Sequence, residues 1–237
     1  MKTTKNAETI LLASLITLLA PLSSTRAAVL FADNFTGNST ENLTAQLGSP
    51  WVSVGVDNVV KADGSFTIGS GGQLAYYTPI TMGAGGKWLI SLNMTQTSSP
   101  ANCWFGLALD TGTIPTGTFG FESSMLLNKL IYPVGASSAA LSGMPQMGNG
   151  ETATYSIAVD NTGAETLLSY YKNSNLLNTH QLSSMQTITS AGFVDWNTGE
   201  GKFNSFTIES IPEPSTWAML ALAGGFGVLT MYRRRNS

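Results

Sequence analysis

Along the middle of the chain, apolar residues recur in short alternating or continuous runs, not at the three- and four-residue spacing of an amphipathic helix. Five stretches read clearly as β-strands: 88–94, 103–109, 154–159, 166–171 and 203–208. They are built from the aromatic, aliphatic and hydroxyl residues that suit a pleated surface, as in Trp88-Leu89-Ile90-Ser91-Leu92 and Thr154-Tyr155-Ser156-Ile157. Weaker candidates lie at 65–68, 74–77, 118–121, 126–132 and 191–194. Between them stand Asp63-Gly64, the glycine-rich stretches 69–72 and 83–86, and Asn161-Thr162-Gly163, all suited to tight turns. About ten strands with no intervening helix predict an all-β fold of two antiparallel sheets packed as a sandwich.

Two segments break this pattern by being apolar throughout. The first, residues 10–22, follows Lys2 and Lys5 and runs into Ser23-Ser24-Thr25-Arg26-Ala27-Ala28. Basic start, short apolar core and small residues at Thr25 and Ala27 predict a secretion signal cut by signal peptidase after Ala27. The second, residues 217–232, is bracketed by Trp217 and Tyr232 and stops at Arg233, Arg234 and Arg235. As a helix it would extend about 24 Å, close to a membrane span, with interfacial aromatics and a basic stop. Gly224, Gly225 and Gly227 would cost roughly 1 kcal/mol each in a helix exposed to water, which also favours lipid. The expected organisation is therefore a signal at 1–27, one folded domain at 28–210 and a membrane-directed tail at 211–237.

Charge narrows the partners. The central domain keeps five lysines against twelve carboxylates, a net of −7, because the other basic residues lie in the two end segments. No basic patch is present to neutralise phosphates, so nucleic-acid binding is excluded as an expectation. A single cysteine, Cys103, rules out an internal disulfide, and with His180 as the only histidine there is no zinc set.

The tail reads Ile211-Pro212-Glu213-Pro214-Ser215-Thr216-Trp217, then the apolar run with its glycines, then the arginine cluster. This order resembles the PEP-CTERM sorting signal. The resemblance implies Pro212, Glu213 and Pro214 as the recognition motif and residues 217–232 as the membrane segment. It implies Arg233–Arg235 as the stop, and passage through the inner membrane of a Gram-negative-type bacterium. It also implies processing by an exosortase and delivery to the cell surface or extracellular matrix.

The domain itself has landmarks in a telling order: Asp33-Asn34-Phe35, a central Trp104-Phe105-Gly106 strand, the pair Tyr170-Tyr171, Ala191-Gly192-Phe193, and a closing strand Phe203-Asn204-Ser205-Phe206. This order resembles the concanavalin A-like lectin/glucanase jelly roll of LamG-type modules; an immunoglobulin-like or other β-sandwich is the competing expectation.

Glucanases of that fold carry Glu-x-Asp-x-x-Glu on one strand, and nothing here matches it. Glu41, Glu122, Glu151, Glu165, Glu200 and Glu209 each stand without a second acid two residues away. There is no Gly-x-Ser-x-Gly elbow, and His180 lies in the polar stretch 178–181, which reads as a loop or exposed edge. Asp195, Asn197 and Glu200 place oxygen atoms around a turn and are the candidate Ca²⁺ ligands, with Asp33 or Asn204 as further contributors by resemblance. Sugar stacking needs aromatic faces, for which Trp196, in a polar loop, and Tyr170 are the leading candidates among Trp51, Trp104, Tyr76, Tyr77 and Tyr171. Trp104, between Cys103 and Phe105, reads as a core residue. The expected function is a non-catalytic envelope or matrix protein that binds exopolysaccharide. The alternatives are a purely structural component, and a secreted polysaccharide hydrolase with an unrecognised site.

Overall fold

A computed structural model describes residues 27–35, 42–45, 49–54, 60–61, 65–67, 73–97, 104–111, 124–134, 139–141, 146–196 and 201–212. The signal at 1–27 apart from Ala27, the membrane segment 217–232, the basic tail and the strand candidate at 118–121 lie outside the described residues. Ala28–Ile211 forms one compact unit.

Fourteen strands are seen among the described residues. In chain order they are β1 (Ala28–Asp33), β2 (Val52–Val54), β3 (Val60–Lys61), β4 (Ser65–Thr67), β5 (Gln73–Met82), β6 (Lys87–Gln96) and β7 (Trp104–Asp110). Then follow β8 (Ser124–Leu127), β9 (Ile131–Tyr132), β10 (Thr152–Asp160), β11 (Leu167–Lys172), β12 (Asn175–Gln181), β13 (Ile188–Trp196) and β14 (Gly201–Ser210). One 3-10 turn, Leu43–Ala45, is the only helical element described. All pairings are antiparallel, and they form two sheets: β12-β11-β10-β6-β14-β4-β3, with β1 also on β14, and β2-β5-β13-β7-β8-β9. The β1 strand pairs with the Phe206–Ser210 half of β14 and β4 with Lys202 and Phe203, so the two share one side of that strand.

Alternation explains the core. From β6, Ile90, Leu92 and Met94 point inward, from β10 Tyr155, Ile157 and Val159, and from β14 Phe203, Phe206 and Ile208. The spacing of Phe203 and Phe206 is three, not two, because β14 bulges between Phe203 and Ser205. The extra residue, Asn204, turns outward and donates to Asn93 Oδ1 at 2.8 Å and Thr95 Oγ1 at 3.0 Å. Opposite them the second sheet contributes Phe105, Leu107, Leu109 and Phe193. Phe31, Phe35, Trp51, Phe193, Phe203 and Phe206 meet in a chain of ring contacts with centroids 4.7 to 6.5 Å apart.

The ten strand expectations fare unevenly. The expected strand 126–132 is two strands, because Asn128-Lys129-Leu130 turns the chain and Leu127 N–H closes the hairpin on Leu130 C=O at 2.8 Å. The polar stretch around His180 is an edge strand, β12. Strand β5 runs on to Met82 through Pro79, which lies beyond the end of β2, so its missing N–H removes no bond on that side.

Candidate functional site

The two sheets differ in their outward faces. On the larger sheet the outward residues of β6 and β10 are linked by side chains across the strands. Ser91 Oγ meets Ser156 Oγ at 2.8 Å, Asn93 Nδ2 donates to Thr154 Oγ1 at 2.9 Å, and Thr95 Oγ1 meets Thr152 Oγ1 at 2.8 Å. Strands β7, β8 and β13 of the smaller sheet are withdrawn from solvent on both faces. Ala108, Asp110, Met125, Leu127, Ser190 and Val194 are buried, yet none belongs to the core between the sheets. Continuous apolar runs in β7 and β8 are what two-sided burial requires.

Register builds the outward face of this sheet. Along β7 and β13, Trp104 stands opposite Trp196, Gly106 opposite Val194, Ala108 opposite Gly192 and Asp110 opposite Ser190. The strip begins at Trp104, crosses Gly106, Ala108 and Gly192, and ends at an acid and a serine. Asp110 lies six positions along the strand from Trp104, about 20 Å at strand rise. Gly106 is required by the neighbouring strand: a Cβ there would lie 2.2 Å from the Leu126 carbonyl oxygen. Its φ of 158° also lies where glycine is at home. Ser190 Oγ is buried with no hydrogen-bond partner among the described residues.

Trp104 is half-buried, and Lys129 Nζ lies 5.4 Å from its ring centroid. Beneath it a polar knot closes the sandwich. Asn128 N–H donates to Phe105 C=O at 2.9 Å, Asn128 Nδ2 donates to Gln96 Oε1 at 3.1 Å, and Tyr155 O–H reaches Asn128 C=O at 3.3 Å. At this end Glu151 bonds Lys172 at 2.7 Å and accepts from Gly148 N–H at 2.7 Å. The Lys172 bond is the main cause holding the Glu151 carboxyl below its usual range, with Gly148 adding to it.

The expected site residues fall as follows. Trp196 ends β13 in register with Trp104 and Gln73; its side chain, Asn197 and Glu200 lie outside the described residues. Asp195 is buried, and its place opposite core residue Phe105 puts it on the inward side of the strand. Tyr170 corrects the sequence expectation. It is fully buried opposite Ile157, and its hydroxyl meets Ser124 Oγ at 2.9 Å, leaving no ring face for a sugar. Alternation sends Tyr171 outward in its place, opposite Ser156. Trp51 is likewise core, donating from Nε1 to Asp33 Oδ2 at 2.6 Å. That bond and one from Phe35 N–H at 2.6 Å engage Asp33, and Asn204 is engaged by the bulge, so both serve internal contacts. Trp104 corrects the opposite way, since Phe105 takes the core position and Trp104 faces out. Of the sorting motif, Pro212 stands two residues beyond β14, while Glu213, Pro214 and Arg233, Arg234 and Arg235 lie outside the described residues. Sequence reasoning missed Asp110 and Ser190, which only strand register brings together.

Comparison with known proteins agrees with both parts of this picture. Residues 210–235 match the PEP-CTERM protein-sorting motif. The chain is thereby marked as an exported, surface-sorted protein, and the motif implies exosortase processing. No curated protein matches the chain in sequence. Among solved structures, an endo-1,3-beta-glucanase from Streptomyces sioyaensis is similar with TM-score 0.57 and 10% identity, over 81% of this chain and 99% of that one. The potassium-bound carbohydrate recognition domain of Emp46p gives TM-score 0.55 and 10% identity, over 76% of this chain and 95% of that one. A Lotus tetragonolobus seed lectin gives 0.52 and 11%, over 78% of this chain and 99% of that one. The fold is thus a lectin/glucanase-like sandwich. On that fold, this chain carries a PEP-CTERM sorting motif.

Proposed function

We propose that the protein is a non-catalytic envelope or matrix component whose jelly-roll sandwich binds exopolysaccharide at the Trp104–Trp196 end of the smaller sheet. A secretion signal and a membrane-spanning tail bring it there. The observation that carries the reading is the cross-strand Trp104–Trp196 register, with Trp104 half-buried. An aromatic ring at the rim gives a sugar ring a surface to stack on.

The hydrolase alternative needs two carboxyl groups about 5 to 9.5 Å apart. Asp110 and Asp195, the acids of the two central strands, are five ladder positions apart, about 17 Å, and alternate to opposite faces. Asp33, Glu151, Asp160 and Glu165 are each engaged, by Trp51, Lys172, Lys87 and Gln181 respectively. These placements favour binding over hydrolysis. Asp195, Asn197 and Glu200 remain the Ca²⁺ candidates in this reading, with Asp195 committed to the inward side. A glycan-array screen of the Ala28–Ile211 unit, run with Ca²⁺ and with chelator, tests it. The expected result is selective binding reduced at least tenfold in Trp104→Ala and Trp196→Ala. Absence of binding in both conditions would leave a structural matrix protein as the better account, and release of reducing sugar would restore the hydrolase.

A further inference from the structure

The tail leaves the domain at one end of the larger sheet, and that end carries exposed apolar side chains. Strand β14 closes at Ser210, and Ile211 continues its line, donating its N–H to Lys87 C=O at 2.8 Å. Beside it runs β1, with Ala28 opposite Ser210 and Val29 opposite Glu209. Ile211 comes two residues after Glu209, so Val29 and Ile211 are diagonal neighbours on one face. The register shifts between Val29 and Phe31, and such a bulge re-aims the extra residue, here Leu30. Val29, Leu30 and Ile211 are 59%, 50% and 37% exposed. Single apolar residues on a surface need no explanation, but three neighbours mark a contact surface. Trp88, partly buried opposite Ser210, adds an aromatic ring at the same end.

Chain length selects the occupant. Six Cα steps join Ile211 to Trp217, at most about 22 Å when fully extended. The polar headgroup layer takes up roughly 5–7 Å of that reach. With residues 217–232 in the bilayer, this end of the sheet is held close to the lipid surface, an argument that rests on the membrane-spanning tail of the proposed function. A domain of net −7 is not drawn to anionic headgroups, and Lys87 beside the patch is engaged by Asp160 at 2.8 Å. The contact is then apolar and small. The tether supplies the local concentration that lets it form.

We propose that Val29, Leu30 and Ile211 dock on the phospholipid surface of the membrane that receives the tail, and so orient the domain while the tail is attached. Asn161 ties this end to the start of β13: its N–H donates to Gly86 C=O at 2.9 Å and its amide to Gln186 C=O at 2.9 Å. Trp196 closes the other end of β13, so docking turns the Trp104–Trp196 end away from the lipid. Cutting the tail removes the tether and frees the domain.

The test uses the full chain, exported to the inner membrane of a bacterium that has no exosortase, in spheroplasts. Single cysteines Leu30→Cys and Thr152→Cys, in a Cys103→Ser background, are treated with a membrane-impermeant maleimide. Thr152 is exposed and begins β10, whose other end, Asp160, pairs with Lys87 beside the patch. Protection of Leu30→Cys is expected, with free reaction of Thr152→Cys and a chain that resists carbonate extraction. Adding Val29→Glu should abolish the protection while the chain stays in the membrane fraction. Val29 is exposed, so this variant should keep the wild-type near-ultraviolet circular dichroism; if it does not, Ile211→Glu takes its place. Equal reaction at both cysteines in a membrane-bound chain would overturn the docking and leave the tail reading intact. Extraction of the chain by carbonate would overturn the tail reading and the docking with it. Protection that survives both glutamate substitutions, or that arises only when an exosortase is supplied, would overturn lipid as the occupant.

Discussion

Asn161 shows how much one side chain can organise. Its amide donates to the carbonyls of Met82, Gly83 and Gln186 at 3.1, 3.2 and 2.9 Å, while Thr166 Oγ1 donates to its Oδ1 at 2.6 Å. Three chain segments are thereby held at the end of the sandwich remote from Trp104. Asn161→Ala would leave buried carbonyls without donors, at about 1–3 kcal/mol for such a loss. A destabilisation of that size is expected in urea unfolding, with no change in slope. Tyr155 and Tyr170 set the alkaline limit. Burial pushes the Tyr170 hydroxyl up to about 12, outweighing the lowering effect of the Ser124 hydrogen bond, and raises Tyr155 as well. A folded value above the unfolded one means stability that is complete below pH 10 and lost as pH rises through the folded value. Thermal midpoints should therefore fall above pH 10, and Tyr170→Phe should flatten that fall. At residue scale the sequence marked Tyr170-Tyr171 as a pair of interest. Which of the two is buried depended on strand phase, which a single step reverses.

Among the strands, β6, β10 and β14 were legible because each buries one face, so apolar and polar residues alternate along them. Strands β1, β2 and β3 were not, since two of them are three residues or fewer and β1 leaves Val29 and Leu30 exposed. Strand β12 read as loop or edge because its polar residues reflect an edge position. The apolar run of β7 announced a buried strand without saying that both its faces were covered. Gly106 carries the sharpest element-scale expectation. Its alanine variant would drive Cβ into the Leu126 carbonyl and the Leu127 Cα of β8, both backbone atoms that cannot swing aside. Overpacking typically costs about 1–3 kcal/mol, and Gly106→Ala should lie at or above the top of that range by calorimetry.

Across the whole molecule, ion pairs close both ends of the sandwich: Lys87 with Asp160 at 2.8 Å at one, Lys172 with Glu151 at 2.7 Å at the other. Partial burial raises the Asp160 carboxyl, but bonds from Lys87 and Thr162 outweigh it, so both acids sit below their ordinary values of 3.8 and 4.5. Depressed values give stability that is complete above pH 4.5 and drains as pH falls through the folded values. An acid-side loss beginning below pH 4.5, reduced in Lys172→Met, is the expected titration. The sequence by itself determined where the protein is sent and its all-β class. Sorting signals are read as linear strings by machinery that meets an extended chain, and alternation is a local property of each strand. Tertiary structure alone decided that Trp104 and Trp196 share one rung, that Asp110 faces Ser190, and that Asp110 and Asp195 part to opposite faces. Those facts depend on which strands pair and in what register, and they join residues 80 or more positions apart in the chain. Such partners are chosen by the packing of the whole core, and no local pattern of residues encodes them.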